Sequence, residues 1–454
     1  MSEVAIIGVG ASGVAAARLA HAKGAKAYVS DLRADAGATA GADRIRALGA
    51  DVELGRHDLE RIARADTVVV SPGIPPDAAV LEGLRARGVR WISEPEFAFR
   101  FFANPLIAVT GTNGKTTTAA LTAHLLREGG VDAALGGNVG GAMAPAASEL
   151  ALREPAPAWY VVEMSSFQLA DVDRFRPDIG VVTNLAPDHL DRYATVADYY
   201  ADKARLFENA DANSRWVLNG DDADVHALAG DAPGARYLFS VERTDTAGRI
   251  ADGTLTLDVG AGPEPLLPRA ELALLGGHNA SNALAAALAA RLAGVAPERL
   301  AAGLASARPL PHRLEPVAET GGVLWVNDSK ATNVAAAVSA VKSLDGRRLV
   351  VLLGGKDKGE DFAPLARALL DRARVAITYG AARDRIAAVL DARDIPVLRV
   401  PAGATFADVV AAARARARTG DIVLLAPACS SFDMFADYEE RGKTFASLAR
   451  EVAP

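Results

Sequence analysis

Short apolar runs alternate along most of the chain with Ala- and Leu-rich stretches whose apolar positions recur at helical spacing. That alternation predicts repeated β-α units on largely parallel sheets. The runs Val4 to Ile7, Ala27 to Ser30 and Thr67 to Val70 predict strands of a first sheet. After Phe102-Ala103-Asn104-Pro105 a new run, Leu106 to Thr110, opens a second sheet, continued by Trp159 to Val162 and Ile179 to Val182. The turn-rich stretch from Arg249 to Pro268 predicts a β elaboration on that sheet. Pro309 and Pro311 then break a long helical region, and Val323 to Val326, Leu349 to Leu353 and Ile422 to Leu425 predict a third sheet. The expectation is three α/β domains in series, over residues 1–103, 104–308 and 309–454.

Charge narrows the partners. Lys+Arg number 49 against 56 Asp+Glu, a formal net charge of −7, which argues against a general binder of nucleic acid or anionic membrane. The single cysteine, Cys429, allows neither an intrachain disulfide nor a zinc cluster and fits a reducing cytosol. No stretch reaches the roughly 18 uncharged apolar residues that span a bilayer. Val4 to Ala17 is uncharged, but Glu3 precedes it and Gly8, Gly10 and Gly13 interrupt it, so it reads as strand and turn instead of a secretory leader. A cytoplasmic protein without membrane insertion is expected.

Two glycine loops follow predicted strands. In Gly8-Val9-Gly10-Ala11-Ser12-Gly13, small residues would let a pyrophosphate approach the backbone at a helix N-terminus, and Asp31 could accept a hydrogen bond from a ribose hydroxyl. NAD or FAD, another nucleotide, or tight packing without any ligand all remain open for this loop. In Thr110-Gly111-Thr112-Asn113-Gly114-Lys115-Thr116-Thr117, amides around Gly111 and Gly114 can cradle a triphosphate, Lys115 can neutralise it and Thr116 can bind magnesium. This loop departs from the usual P-loop, whose first glycine would fall at Val109. Glu163 closes a predicted strand, where a phosphate-binding sheet presents its magnesium carboxylate. His189 follows the next strand and, alone, reads as structural; Lys203, on a following helix, reads as a solvated surface lysine.

Taken with these residues, further motifs make the chain resemble the Mur ligases, ATP-dependent amide-forming enzymes of peptidoglycan precursor synthesis. The motifs are Thr110 to Thr117, Val162 to Leu169, Asn184 to Asp191, Gly277 to Asn282, Pro311 to Arg313, Asn327 to Asn333 and Pro427 to Asp433. The last two are similar to those of the glutamate-adding member. The resemblance implies a Rossmann-like N-terminal domain holding the UDP of the substrate, a central P-loop ATPase-like domain, and a C-terminal Rossmann-like domain binding the incoming amino acid and part of ATP. It implies ATP contacts at Gly111, Thr112, Asn113, Gly114, Lys115, Thr116, Thr117, Asn279, Asn282, Arg313, Asp328 and Lys330. Thr116, Glu163, His189 and Lys203, the last as a carbamate, would serve two magnesium ions, with Lys115, Glu163, His189 and Lys203 catalytic. Ala11, Ser12, Asp31, Leu32, Arg33, Gly73, Asn138 and His189 would hold UDP-N-acetylmuramoyl-L-alanine, and Thr332, Lys358, Ser431, Phe432 and Tyr438 the incoming D-glutamate. The implied reaction converts the substrate carboxylate to an acyl phosphate, which the amine of D-glutamate attacks through a tetrahedral intermediate. Addition of L-glutamate or another amino acid, an NAD-dependent oxidoreductase and a non-catalytic nucleotide sensor are the alternatives; a monomer is expected.

Overall fold

The computed structural model describes residues 2–139, 143–190, 192–344 and 346–451. Asp191, the last residue of the motif that starts at Asn184, lies outside them. The first sheet contains β1 (Glu3–Ile7), β2 (Lys26–Asp31), β3 (Asp51–Leu54), β4 (Thr67–Val70) and β5 (Ile92–Ser93). They run in the spatial order β3-β2-β1-β4-β5, and all of their pairings are parallel. The helix Ala11–Ala22 packs with β1 and β2, so β1 is apolar on both faces and its run reads continuously instead of alternating.

The second sheet contains β6 (Leu106–Thr110), β7 (Ala133–Gly137), β8 (Trp159–Glu163), β9 (Ile179–Val182), β10 (Arg215–Asn219), β11 (Ala235–Phe239), β12 (Gly248–Ala251), β13 (Thr254–Leu257) and β14 (Glu264–Pro268). Its order is β14-β13-β12-β11-β10-β9-β6-β8-β7. The turn-rich stretch is the antiparallel β12-β13-β14 extension at one edge, as its sequence predicts. The third sheet contains β15 (Glu315–Thr320), β16 (Val323–Asn327), β17 (Leu349–Gly354), β18 (Ala373–Tyr379), β19 (Val397–Arg399) and β20 (Ile422–Leu425), ordered β15-β16-β20-β17-β18-β19, with only β15 antiparallel. The architecture is therefore mixed α/β with three sheets, in which antiparallel strands sit at the edges of the second and third.

By contact, residues 1–271 and 280–306 form one compact unit, carrying the first two sheets, and residues 272–279 and 307–454 form the other, carrying the third. In each sheet a strand early in the chain lies between two others, and parallel pairing delivers the following loops to one edge. The loops after β2, β1 and β4 are neighbours; so are those after β9, β6 and β8, and those after β16, β20 and β17. Among the described residues no helix is long and apolar enough to cross a membrane.

Candidate active site

The loop after β6 turns sharply into the helix Lys115–Glu128. Gly111 has φ +139° and Gly114 φ +80°, a backbone that L side chains rarely adopt. A Cβ on Gly111 would lie 2.1 Å from Thr183 Oγ1, and one on Gly114 2.3 Å from Asn282 Oδ1. The helix starts at Gly114 with no side-chain cap, so its first amides and its partial positive charge face the loop. The sequence motif does not reveal how Asn184, after β9, fastens the loop. Its carbonyl accepts from Thr112 N at 2.8 Å and its Oδ1 from Asn113 N at 2.9 Å. Those two amides are therefore engaged by the chain itself. Lys115 Nζ donates to Thr112 O at 2.8 Å, and Thr118 Oγ1 to Asn282 Oδ1 at 3.3 Å. Thr116 is buried at the start of this helix, with Thr117 beside it.

Because β8 neighbours β6, Glu163 reaches the same edge, paired in register with Val109. It is buried, its Oε1 accepts from Asn138 Nδ2 at 3.0 Å, and its Oε2 has no hydrogen-bond partner among the described residues. An orphaned buried carboxylate oxygen costs free energy unless a cation or donor meets it, and magnesium bound to phosphates commonly takes one carboxylate. Among the described residues no three His, Cys, Asp or Glu cluster as a metal cage.

Lys203 is not a solvated surface lysine. It sits in the last turn of the helix Val196–Ala204, 1% exposed, with Nζ donating to Gly111 O at 2.8 Å and lying 4.6 Å from the Tyr199 ring centroid. Burial, then the charge of Lys115, push its pKa well below the ordinary lysine range, against the pull of Asp188 and Glu163. His189 has φ +55°, unusual for a non-glycine residue, and its half-exposed ring packs edge-on to Phe167. Arg192, absent from the sequence reading, fastens this loop to the first sheet by donating to Pro72 O at 2.9 Å and Ile74 O at 2.7 Å.

Beside this edge, a cavity of about 830 Å³ runs along the helix Ala11–Ala22. Ala11, Ser12, Arg18, Pro72, Asn138 and Glu149 are among the residues lining it. Gly13 is required by packing, since a Cβ there would lie 1.9 Å from Gly8 O. Gly73 faces open space, and Leu32 and Arg33 are exposed. The Asp31 carboxylate is held by the chain around it. It is 3% exposed, Oδ2 accepts from Val9 N at 3.1 Å, and Arg33 donates from its N at 2.8 Å and from its guanidinium. Burial raises its pKa, but those hydrogen bonds outweigh it and hold the carboxyl below its ordinary value.

In the other unit, the loops after β16, β20 and β17 meet. Asp328 Oδ1 accepts from Leu314 N at 3.2 Å, and burial, partly offset by that bond and by the Arg313 charge, pushes its pKa up to about 7. Lys330 Nζ lies 4.0 Å from the Tyr438 ring centroid. Ser430 and Lys356 pair backbone to backbone in an antiparallel bridge that joins the loops after β17 and β20. Phe432 is 68% exposed, and Thr332 follows the turn of Lys330. Asn279 Nδ2 donates to Leu275 O at 2.7 Å. The residue that joins these loops is Arg441, fully buried on the helix Tyr438–Arg450, which donates to Ser329 Oγ at 3.0 Å, Ser329 O at 2.9 Å and Cys429 O at 3.2 Å.

Three α/β sheets, with a glycine loop at a helix N-terminus on the second, have the architecture of a Mur-type enzyme, and comparison with known proteins agrees. The chain matches the Mur ligase MurD-like N-terminal domain over residues 2–93, the Mur ligase middle domain over 109–290 and the Mur ligase glutamate ligase domain over 312–429. It belongs to the Mur ligase family. It is 40% identical over 451 residues to a UDP-N-acetylmuramoylalanine–D-glutamate ligase of Acidobacterium capsulatum, covering 98% of this chain and 95% of that one. It is 38% identical over 451 residues to the ligase of the same name from Geotalea daltonii, covering 99% and 98%. The fold is similar to that of a pseudomurein peptide ligase type C from Methanothermus fervidus, with a TM-score of 0.59 at 20% identity, over 94% of this chain and 96% of that one.

Proposed function

We propose that this chain is a cytoplasmic, monomeric ATP-dependent ligase that joins D-glutamate to UDP-N-acetylmuramoyl-L-alanine in peptidoglycan precursor synthesis. The observation that carries the reading is the convergence, on one sheet edge, of the Gly111–Gly114 loop, the orphaned oxygen of Glu163 and the buried amine of Lys203. Full-length similarity to D-glutamate ligases supplies the substrates. The proposed division of labour gives the UDP substrate to residues 1–103, ATP to 104–308, and the amino acid with part of ATP to 309–454.

In this reading Lys115, with Gly111 to Thr117, Asn279, Asn282, Arg313, Asp328 and Lys330, binds ATP. Ala11, Ser12, Asp31, Leu32, Arg33, Gly73, Asn138 and His189 hold the uridine-linked substrate, Asp31 by shaping the loop more than by direct contact. Thr332, Lys358, Ser431, Phe432 and Tyr438 receive D-glutamate. Thr116, Glu163, His189 and Lys203 would hold magnesium, two ions in all, whose charge screens the phosphate oxygens that would otherwise repel the incoming carboxylate. Lys203 serves as its carbamate. Its depressed pKa favours the neutral amine, which attacks carbon dioxide, forms a C–N bond and releases one proton, turning a buried cation site into an anionic one. The substrate carboxylate, aligned by the first unit's pocket, takes the γ-phosphoryl group as an acyl phosphate. The amine of D-glutamate then displaces phosphate through a tetrahedral intermediate, with alignment supplying much of the acceleration.

Phosphate release from ATP and magnesium with UDP-N-acetylmuramoyl-L-alanine tests this, with D-glutamate, L-glutamate, lysine or meso-diaminopimelate in parallel. Release that depends on D-glutamate, with a product heavier by one glutamyl residue, is expected. Release only with L-glutamate would change the pathway step, and silence with all four would sink the reading.

A further inference from the structure

The helix Glu94–Phe99 joins the first sheet to the second and carries two fully buried carboxylates. Glu96 has an evident task, since its Oε2 accepts from the backbone N–H groups of Asp173, Arg174 and Phe175 at 3.1, 3.1 and 2.8 Å. Glu94 points elsewhere. Its Oε1 accepts from Ser148 N, in the short helical turn Ala147–Leu150, and the Ser148 hydroxyl faces the same carboxylate, while Glu94 Oε2 and the Ser93 hydroxyl are buried with no hydrogen-bond partner among the described residues. Two orphaned polar atoms on neighbouring residues, each almost fully buried, mark a site retained against a cost to stability. Such sites are kept where the position they enforce matters.

What the turn supports is the cavity along the helix Ala11–Ala22. Ala144, Pro145 and Ala146, which lead into the turn, and Glu149 within it line that cavity. Pro145 O accepts from Gly137 N at 3.0 Å, next to Asn138, and Glu149 pairs with Arg18 across the wall at 2.9 Å. We propose that Glu94 is a positioning residue for the UDP-substrate pocket: its carboxylate holds the Ala147–Leu150 turn, and through it the Ala144–Ala146 wall, where the substrate needs them. This inference rests on the function proposed above.

Burial pushes the Glu94 pKa up to about 7, with the hydroxyl and N–H of Ser148 pulling it down and the like charge of Glu149 pushing further. Arg18, paired to Glu149, and the exposed His21 are the charged and titratable groups on the facing helix, while Glu96 on its own helix and Arg100 just after it are engaged by the Asp173–Phe175 segment and by each other. The ionised carboxylate is the form that accepts the turn's amide best, so the hold weakens as pH falls through about 7.

The test is binding of UDP-N-acetylmuramoyl-L-alanine to the full chain by calorimetry between pH 6 and 8.5, for wild type, Glu94→Gln and Glu94→Asp, with an ATP analogue as control. Expected is a five- to tenfold weaker Kd for both variants at pH 8.5. For Glu94→Gln the gap narrows toward pH 6, and affinity for the ATP analogue is unchanged. Glu94→Asp keeps the charge but withdraws it by one methylene, so it decides the matter should the glutamine variant fail to fold. Wild-type affinity for the UDP substrate in every variant would overturn the role of Glu94, as would equal weakening for the ATP analogue. Wild type that binds no UDP substrate would instead remove the proposed function and this inference with it.

Discussion

At the scale of single residues the protein spends its burial on charge. Lys203, Glu163, Glu94, Glu96 and Arg441 are each about 1% exposed or less, and each fastens a backbone segment or faces the phosphate loop. Charged groups are almost never buried without partners, so each marks a position that something else requires. Lys203 shows how this bears on chemistry. A cation held below its ordinary pKa by burial and by Lys115 loses less on becoming a neutral nucleophile than a surface lysine would. Protein equilibrated with 13C-labelled bicarbonate is expected to give a carbamate resonance that fades as pH is lowered, because protonation removes the nucleophile. Lys203→Met is expected to lack the resonance and to lose activity by about a hundredfold or more, the scale of losing one electrostatic stabiliser. A wild-type spectrum without the resonance at any pH would reject the carbamate.

At the scale of elements, what the sequence made legible follows from how each strand is covered. β1, β4, β6, β9 and β20 are apolar on both faces, so their runs stand out and their bounds match closely. β3, with Asp51 and Glu53 at a half-exposed edge, and β7, ending in Gly136 and Gly137, have no such run and are not predicted, whereas β10 and β18 carry buried apolar runs that the sequence reading passes over. The strand-end motifs were legible because phosphate loops need particular residue types. The buried ties were not, since Arg441 in Tyr438-Glu439-Glu440-Arg441 and Lys203 in Ala201-Asp202-Lys203 read as solvated helix faces until tertiary packing turns them inward. The first glycine loop makes an element-scale prediction. Gly13→Ala would set a Cβ 1.9 Å from the Gly8 carbonyl oxygen, whereas a Cβ on Gly10 meets nothing within 4 Å. Chemical denaturation should therefore show Gly13→Ala losing about 1–3 kcal/mol or more. Gly10→Ala should stay within about 1 kcal/mol of wild type. Equal losses would mean that this loop does not pack against its helix as described.

At the scale of the whole molecule, the first two sheets are joined by ties that cross between them. Ser93 N donates to Asp171 O at 2.7 Å, Trp91 Nε1 to Asp171 Oδ1 at 2.9 Å, and Arg192 reaches back to Pro72 and Ile74. These ties couple the two sheets within one compact unit. Asp171 reports on that coupling. Burial pushes its pKa from the ordinary 3.8 up to about 6, with the Trp91 hydrogen bond pulling against it and the charge of Asp202 adding to the rise. Between those values the folded chain holds a proton that the unfolded chain has released, so the contribution of this group to stability is fully present below about 3.8 and is lost as pH rises through about 6. An amide at this position keeps an acceptor for Trp91 but does not titrate. The stability of wild type relative to Asp171→Asn should therefore fall as pH is raised from about 4 to 6, by about 3 kcal/mol at most, and level off above. Tryptophan emission of the native wild type, absent from the variant's response, should titrate with a midpoint of about 6, because the indole of Trp91 loses or gains a full negative charge at its N–H. A stability difference that stays constant from pH 4 to 7 would show that Asp171 is solvated, and that the two sheets are held by their backbone contacts and Glu96 without it.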